Sequence, residues 1–398
     1  MSNPRPPLFT SRFLAIWAVS FAAAAASFQL LPAAPFRIRD LGGSTATSGL
    51  FLGLLTYGSA LSAPWTGALA DLLGRRRVLL VSGLALAGLG AVYAVVPRWE
   101  ILVLLALPHG VAWSSVLTAA SAYVSDLVPV ERRAEGIAYH GLASTLAIAA
   151  APALGFALSG LGWGWLCLSI VAFYLAVSVL ALRLPERVAP RAGSLGDLLT
   201  WKAVEWPTLA FSGTLLLVSF GYGGVTSFVA QLAESRGIVP KGIFFTAFAG
   251  TILVCRPLLG SSLDRFGPRR AVPICIGMVA TGLAVLPIAT GRSGLVVAAV
   301  LFGGGFSTFY PAFSALVLRR VAADRRGAAF GAMLAAFDVG IGSGSILLGP
   351  LVARLGFAGA FGLAAAVAAT AWPFFLWSER RFSLKTDGGA DARSVSRA

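Results

Sequence analysis

Three side chains that can carry charge lie deep inside otherwise apolar stretches of this sequence. Asp338 lies about eleven residues into one stretch, roughly 16 Å along a helix. Arg256 precedes the next acidic residue, Asp264, by eight positions, and His109 lies about ten residues into a third stretch. An ionised side chain at the centre of a lipid bilayer costs about 2.5 to 3.5 kcal/mol. These three residues are therefore the first candidates for chemistry.

Each candidate has a functional and a structural interpretation. Desolvation makes a carboxyl group easier to protonate, so Asp338 can carry a proton or can be a packing carboxylate bonded to a neighbouring helix. Arg256 can bind an anionic group, or it can pair with helix carbonyls or with an acid such as Asp338. His109 forms a polar and aromatic stretch with Trp113 and Ser114, where it can titrate near neutral pH or fill a packing position.

Composition indicates a membrane protein. The chain is 57% hydrophobic and 12% charged, with a mean hydropathy of +0.83, whereas soluble domains carry about 25% charged residues. The net charge of +15 comes from basic residues in short connectors rather than on an amphipathic face, which argues against a nucleic-acid partner. Cys167, Cys255 and Cys275 lie in apolar runs without a CxxC pattern, so no disulfide, metal or cofactor is predicted.

Twelve apolar stretches are long enough to cross a bilayer, which takes about 20 helical residues. The first stretch resembles a signal peptide, but eleven further stretches follow it, which favours a true span. The sequence therefore predicts an all-α integral membrane protein. The predicted spans are 12–36, 47–70, 78–96, 99–125, 134–160, 163–183, 206–231, 241–261, 271–290, 293–318, 327–353 and 357–378.

The distribution of basic residues between connectors predicts the orientation. With the N-terminus in the cytoplasm, 23 of the 31 Lys and Arg residues lie on the cytoplasmic side and 7 on the other, leaving Arg256 inside a span. An excess of basic residues marks the cytoplasmic side of short loops. Both termini are therefore predicted in the cytoplasm, in a multi-pass protein of the cell (inner) membrane.

The two halves of the chain repeat one another without a gap at an offset of 193 positions. An ungapped repeat in an apolar chain is typical of transporters with internal symmetry. It predicts a six-helix bundle over 1–183, a cytoplasmic linker over 184–205, a second bundle over 206–379 and a disordered tail over 380–398. The matching pairs are Gly67 with Gly260, Asp71 with Asp264, Gly74 with Gly267, Arg76 with Arg269, Arg77 with Arg270, Gly110 with Gly303, and Arg132-Arg133 with Arg325-Arg326.

The repeated loop resembles the G-x-L-x-D-[R/K]-x-G-[R/K]-[R/K] pattern of the major facilitator superfamily, between helices 2 and 3 and again between helices 8 and 9. Leu72 departs from the basic residue usual at its position, which the second copy keeps as Arg265. The resemblance implies two pseudo-symmetric bundles of six helices and a charged latch on the cytoplasmic side. The latch residues are Gly67, Asp71, Gly74, Arg75 and Arg76 in the first copy, and Gly260, Asp264, Arg265, Gly267 and Arg269 in the second.

The same resemblance implies which helices line the substrate cavity, namely helices 1, 4, 7 and 10. In helix 4, Ala106 occupies the position of an arginine common in proton-coupled exporters. In helix 5, Ala151, Pro152 and Gly155 resemble a segment common in antiporters, although small residues at this spacing also serve close helix packing. The implied substrate-facing residues are Gln29, His109, Trp113, Tyr222, Thr226 and Tyr310, and we add Ser114 and Arg256 to these candidates.

These observations predict a secondary transporter that works by alternating access of two halves around a central site. The favoured function is proton-coupled export of a small organic compound, such as a drug-like amphiphile, a sugar or a metabolite, with Asp338 and His109 exchanging the proton. The alternatives are an importer or uniporter of a small anionic metabolite, and a non-transporting membrane sensor or assembly factor. Neither an ATP-binding loop nor a catalytic constellation occurs in the sequence, so the chain is predicted to be a transporter rather than an enzyme. We expect it to act as a monomer.

Overall fold

The computed structural model describes residues 7–186, 205–322 and 325–395. The side chains at 64, 67, 68, 71, 130, 133, 134, 138, 256–266, 327 and 382–395 lie outside the description. The described chain contains α-helices and two short 3-10 turns and no strand. The helices are α1 (Ser11–Leu30), α2 (Ala34–Asp40), α3 (Thr45–Ser48), α4 (Leu50–Leu73), α5 (Arg75–Val95), α6 (Trp99–Leu104), α7 (Ala106–Leu127), α8 (Arg133–Leu161), α9 (Trp163–Leu182), α10 (Trp206–Phe211), α11 (Gly213–Ser235), α12 (Ile243–Phe266), α13 (Pro268–Val285), α14 (Arg292–Leu318) and α15 (Arg326–Val395).

A helix lies at each of the twelve predicted spans, which confirms the all-α membrane fold. Nine helical segments in the described chain are long and apolar enough to cross a membrane. The last of them, Ala328–Arg381, is 54 residues long, which is enough for two crossings at about 20 residues each. Its two parts are separated by a break at Gly356, where φ is 71°. Only glycine adopts this backbone conformation readily, so the predicted boundary between the last two spans coincides with a glycine.

Glycines also determine where the repeated loops end and the following helices begin. Gly74 precedes α5 with φ of 92°, and Gly267 precedes α13 with φ of 74°. These two glycines are partners in the 193-residue repeat, so both halves of the chain make the same left-handed turn at the same position. The start of α1 has a side-chain cap in place of a glycine turn. The Thr10 side chain accepts a hydrogen bond of 3.2 Å from the Phe13 backbone N–H.

The contacts of the chain divide it into two compact units. The first comprises Met1–Ser44 and Tyr57–Leu199, and the second comprises Thr45–Thr56 and Thr200–Ala398. Most of the predicted linker 184–205 lies outside the described residues, as do the side chains of the predicted tail 380–398 from 382 onward. The predicted domain boundaries therefore stay predictions.

In the first unit, α1 packs against α8 and α9, and α5 packs against α9 and α7. The contact between α1 and α8 is made by alanines, since Ala24, Ala25, Ala147 and Ala151 form one buried cluster. In a membrane, small side chains allow helix backbones to approach closely, and the helices then gain dispersion contacts without a hydrophobic driving force. The predicted packing role of the helix 5 segment is consistent with this cluster.

In the second unit, α11 packs against α15, and α13 and α12 pack against α14. The contact between α11 and α15 brings the two backbones together. A methyl group placed on Gly223 would overlap the carbonyl of Ile341, and one placed on Gly344 would overlap the carbonyl of Phe220. This close packing makes α11 and α15 a rigid pair, which positions the side chains on their partly exposed faces.

Candidate functional site

Asp338 lies on a partly exposed face of the second unit that is rich in aromatic rings. We use the name aromatic face for the surface formed by Asp338 and four aromatic residues, namely Tyr222, Phe306, Tyr310 and Phe337. All five side chains are neither fully buried nor fully exposed. They come from α11, α14 and α15, so three helices far apart in the sequence supply one surface.

The rings of the aromatic face form a continuous row. Tyr222 stacks on Phe306 with ring centroids 4.5 Å apart and planes 11° apart. Phe306 lies 5.9 Å from Phe337, and Phe337 meets the Tyr310 ring edge to face at 5.5 Å. Separations of 4.5 to 7 Å in offset or edge-to-face geometry are favourable for aromatic pairs. Behind the row, Phe302 is fully buried and stacks on Phe306 at 5.5 Å.

The Asp338 carboxylate lies within electrostatic range of the Tyr310 hydroxyl group. The Tyr310 hydroxyl oxygen is shielded from solvent, and no hydrogen-bond partner for it occurs among the described residues. A hydroxyl group can both donate and accept a hydrogen bond, and an unsatisfied buried one costs about 1 to 3 kcal/mol. The aromatic face therefore combines apolar rings, one carboxylate and a hydroxyl group that has no hydrogen-bond partner in the described part of the chain.

Two of the predicted substrate residues on α11 have different environments. Tyr222 belongs to the aromatic face, whereas Thr226 is buried, with 3% of its surface exposed. The Thr226 hydroxyl donates a hydrogen bond of 2.9 Å to the Tyr222 carbonyl, one helical turn earlier. This bond uses the only donor of the threonine side chain, so Thr226 supports α11 rather than presenting a group to a ligand in this structure.

His109 lies at the centre of a buried network in the first unit. The side chain has no exposed surface. Its Nδ1 atom lies 3.1 Å from the Tyr93 hydroxyl group, and its Nε2 atom lies 3.1 Å from the Tyr174 hydroxyl group. The Tyr174 hydroxyl group is also 2.7 Å from the Ser27 hydroxyl group. A neutral imidazole donates through one nitrogen and accepts through the other, which matches the two tyrosine partners.

The remaining predicted substrate residues of the first unit are also mostly internal. Gln29 is fully buried, accepts a hydrogen bond of 2.9 Å from Ser169 and donates one of 3.0 Å to the Ala25 carbonyl. Ser114 is 2% exposed and lies 3.1 Å from the Thr66 hydroxyl group. Trp113 is partly exposed and packs against the alanine cluster of α1 and α8. The structure thus brings Tyr222, Tyr310 and Asp338 together, and it gives His109, Gln29 and Ser114 internal partners.

In the first copy of the repeated loop, two arginines hold neighbouring helix ends. Arg75 is buried, pairs with Asp126 and donates a hydrogen bond of 2.6 Å to the Ala122 carbonyl. The Arg76 backbone N–H donates a hydrogen bond of 3.2 Å to the Glu186 carboxylate. Glu186 therefore lies at the N-terminus of α5, where a carboxylate is favoured by the helix dipole.

The second copy of the repeated loop has a glutamate at the position equivalent to Glu186, but this glutamate binds two arginine side chains. Glu379 has a side chain that is 3% exposed, and its carboxylate pairs with Arg269 at 3.1 Å and with Arg320 at 2.6 Å. Glu186 and Glu379 are 193 positions apart, so each half of the chain uses the glutamate that follows its sixth span. Neither glutamate was predicted as a site residue, although the offset of the repeat relates the two positions.

The pair of Arg75 and Asp126 has no counterpart at the repeat offset, because Pro268 and Arg319 occupy those positions. Nearby, the Arg132 guanidinium binds the Glu135 carboxylate through two nitrogens, at 2.9 and 2.7 Å. This hydrogen bonding raises the pKa of Arg132, because it favours the charged form. The two copies of the repeated loop are thus held by different ion pairs.

Several predicted residues fall on side chains outside the described part of the chain. Among them is Arg256, so its pairing with Asp338 stays one of the alternatives that the sequence left open. The latch residues in this group keep their predicted role without a described contact. These latch residues are Gly67, Asp71, Gly260, Asp264 and Arg265.

The chain is similar to known transporters along nearly its whole length. The profile of the family described as Major Facilitator Superfamily matches residues 16–239 and 211–397. An uncharacterised MFS-type transporter of Pseudomonas aeruginosa (strain LESB58) is 31% identical over 330 residues, which cover 81% of each chain. The uncharacterised MFS-type transporter YhhS of Shigella flexneri is 26% identical over 328 residues, covering 80% of this chain and 79% of YhhS.

Solved structures of other transporters have the same fold. A mutant of the nucleoside transporter NupG matches with a TM-score of 0.77 and 16% identity, covering 92% of this chain and 100% of NupG. A POT family transporter in complex with 5-aminolevulinic acid also matches with a TM-score of 0.77, at 12% identity, covering 93% of this chain and 96% of that chain. At these identities the similarity concerns the fold alone.

Proposed function

This chain belongs to the Major Facilitator Superfamily, and from that membership we propose that it exports a small organic compound in exchange for protons, with Asp338 as the proton carrier. Membership makes the chain a multi-pass membrane transporter and not an enzyme. The coupling to protons, the direction of transport and the role of Asp338 are the proposal. We further propose that it works as a monomer in the cell (inner) membrane. Both termini are proposed to lie in the cytoplasm, because basic residues are concentrated in the connectors on the side of the termini.

One observation carries the proposal: the Asp338 carboxyl group lies on a partly exposed face of an apolar helical segment, within electrostatic range of Tyr310, whose hydroxyl group has no hydrogen-bond partner among the described residues. A carboxylate in an apolar surrounding is costly when ionised, and protonation removes that cost. Exposure allows water or a substrate to reach the carboxyl group. A group with both properties can hold a proton in one conformation and release it in another.

His109 is the weaker candidate for proton transfer. A carrier must exchange its proton with water, but His109 is fully buried and both ring nitrogens have tyrosine partners. We therefore propose that His109 connects α5, α7 and α9 within the first unit. The direction of transport rests on the resemblance of Ala151, Pro152 and Gly155 to the antiporter segment.

The latch of the proposed alternating-access cycle would lie in the repeated loops. Glu186 binds the start of α5, and Glu379 bridges Arg269 and Arg320. Ion pairs at a helix terminus can be made and broken at moderate cost, because solvent screens the exposed partners. Such pairs are suited to hold one conformation and to release it when substrate or a proton binds.

The test is proton movement by purified protein in proteoliposomes under an imposed pH gradient, measured with an internal pH dye while a compound library is screened. We expect substrate-dependent proton flux for the wild type and its loss in Asp338→Asn. Glu100→Gln is the matched control, because Glu100 is an exposed acid paired only locally with Arg98 at 3.3 Å. Unchanged flux in Asp338→Asn would refute the assigned proton carrier, and substrate uptake without any proton flux would refute proton coupling.

A further inference from the structure

One half-buried arginine of the first unit, Arg37 on α2, makes no ion pair and no side-chain hydrogen bond with the described residues. Its Nε atom is shielded from solvent, and a shielded donor without a partner destabilises a protein. A guanidinium group carries five N–H donors in a planar fork. Arg37 therefore has donors available for an anion that does not belong to the chain.

The ring of Trp163 holds the Arg37 guanidinium group in place. The guanidinium carbon lies over this ring, 5.5 Å from its centroid, which is within the range of a cation–π contact. The Trp163 indole N–H donates a hydrogen bond of 2.7 Å to the Tyr93 carbonyl, so the ring is itself fixed to α5. A guanidinium group that stacks on a ring through its face keeps N–H donors at its edge, and two of them can bind two oxygens of one phosphate group.

The second unit contains a half-buried arginine that uses its donors within the chain. Arg236 donates hydrogen bonds to three carbonyls within 286–289, among them Leu286 at 2.9 Å. Leu286 follows Tyr93 by 193 positions, so the two carbonyls are equivalent in the repeat. In the first unit the indole N–H binds this carbonyl, and Arg37 keeps its donors. The first unit thus has an available arginine where the second unit has a structural one.

The stacked pair lies at the level of the lipid headgroups. Arg37 is near the end of the membrane-spanning segment Ser11–Asp40, which is 30 residues long. Because the hydrocarbon core takes about 20 helical residues, the end of this segment extends into the headgroup region. Trp163 is the first residue of another membrane-spanning segment, and tryptophan is enriched at this level of the membrane.

Exposed apolar side chains occur at the same helix ends. Val95 is the last residue of α5, two positions after the Tyr93 carbonyl that Trp163 binds. Leu161 ends α8, and Trp165 lies in the first turn of α9. All three side chains are more than half exposed. Exposed apolar side chains that adjoin charged ones are typical of a surface that contacts lipid.

Basic residues outnumber acidic ones around the pair. α2 carries Arg37, Arg39 and Asp40. It packs against α6, where Arg98 and Glu100 form an ion pair of 3.3 Å. Three positive and two negative charges leave an excess of one positive charge on these two elements. This excess favours a headgroup with a net negative charge, since a zwitterionic headgroup would bring its own positive group to the same surface.

From this geometry we infer that Arg37 and Trp163 form a binding site for the phosphate group of an anionic phospholipid, on the side predicted to face away from the cytoplasm. The inference goes beyond the proposed function, because it uses no residue of the aromatic face and does not depend on what is transported. The phosphate group accepts hydrogen bonds from the edge of the guanidinium group, and the apolar part of the lipid contacts the exposed side chains nearby. Soluble phosphate would share only the first of these contacts.

The experiment is native mass spectrometry of the delipidated full chain in detergent, titrated with phosphatidylglycerol or with phosphatidylcholine of the same acyl chains. At a concentration that fills the wild-type site, we expect Arg37→Gln to bind one phosphatidylglycerol molecule fewer, because its affinity is lowered about tenfold or more. Phosphatidylcholine should show no such difference. Arg37→Lys, which keeps the charge without the planar fork, should have an intermediate affinity.

Two further variants serve as the control and the safeguard. Arg292→Gln removes one positive charge from an exposed arginine at the start of a helix in the second unit, and it should bind as many phosphatidylglycerol molecules as the wild type. Arg37→Met keeps an unbranched apolar stem in the packed position, and it should lose the same molecule as Arg37→Gln. The expected loss can therefore be measured even if glutamine is not tolerated at this position.

Three results would overturn the inference. The first is an equal number of bound phosphatidylglycerol molecules in the wild type and in the folded neutral variants of Arg37. The second is an equal loss in Arg292→Gln, which would assign the effect to net charge alone. The third is displacement of the bound molecule by an excess of inorganic phosphate, which would assign the site to a soluble anion.

Discussion

Replacement of His109 by leucine tests whether this histidine packs the first unit or transfers protons. The change removes both ring nitrogens from a site with no exposed surface. The partners at 3.1 Å, the hydroxyl groups of Tyr93 and Tyr174, come from two different helices. Leucine has a similar volume and would fill the space, so the main loss is two interhelical hydrogen bonds.

The structure sets the size of the effect. Interhelical hydrogen bonds in a membrane protein contribute about 0.6 kcal/mol on average and up to about 1.7 kcal/mol. The tyrosines keep other partners, because Tyr93 donates to the Leu105 carbonyl at 3.2 Å and Tyr174 is 2.7 Å from Ser27. The full penalty of an unsatisfied group is therefore avoided. We expect His109→Leu to lower the free energy of unfolding by about 1 to 3 kcal/mol.

Thermal unfolding in detergent, followed by tryptophan fluorescence, measures this loss. A change of 1 kcal/mol corresponds to roughly 2 to 4 °C for a body of 150 to 250 residues. His140→Leu is the matched control in the same unit, because His140 is partly exposed and has a single, longer contact of 3.3 Å with Ser20. We expect a smaller shift for this control, and we expect His109→Gln to recover part of the lost stability.

The transport assay separates packing from proton transfer. If His109 packs the unit, the folded His109→Leu protein keeps its proton-to-substrate coupling and the pH profile of transport. A variant of unchanged melting temperature that has lost proton flux would falsify our reasoning, because a packing residue affects stability before it affects coupling.

Four further substitutions, in two matched pairs, test the latch and the close helix contact. Glu379→Gln should lower the free energy of unfolding by about 1 to 3 kcal/mol, below the 3 to 5 kcal/mol of a fully buried pair because one arginine partner is 70% exposed. Glu186→Gln should lower the free energy of unfolding by less than about 1 kcal/mol, since the Glu186 side chain is 27% exposed. Equal melting temperatures for the two variants would contradict the stronger pairing of Glu379. Gly155→Ala should cost about 1 to 3 kcal/mol, because the added methyl group would approach the Gln29 carbonyl oxygen to 2.5 Å. Gly160→Ala, where nothing lies within 4 Å, should leave stability unchanged by the same thermal assay, and a similar loss in both alanine variants would argue against the contact between α1 and α8.

Local properties of the sequence predicted the fold. A span needs about 20 consecutive apolar residues, and this requirement is met or missed within each stretch regardless of the rest of the chain. The break at Gly356 and the turns at Gly74 and Gly267 depend on one residue type each. The family resemblance rested on the repeated loop, whose two copies share an offset of 193 positions.

The composition of the candidate site was only partly predictable. Asp338, Tyr222 and Tyr310 were predicted one by one, from the cost of a buried charge and from the family resemblance. Phe306 was missed, although it precedes Tyr310 by four positions and therefore lies on the same side of α14. Phe337 was missed as well, because one phenylalanine among the apolar residues of a span carries no signal of its own.

The sequence by itself determined that the chain is all-α, where its apolar spans lie, and that the two halves repeat a loop, since hydrophobic length and repetition are local or additive properties. Only the tertiary structure decided which polar residues face one another. His109 and Tyr174 are 65 positions apart and meet because α7 and α9 lie in the same unit. Likewise, Tyr222 meets Phe306 because α11 and α14 belong to the other unit. Helix rotation within a bundle depends on the summed packing of all neighbours, and no single stretch of sequence encodes it.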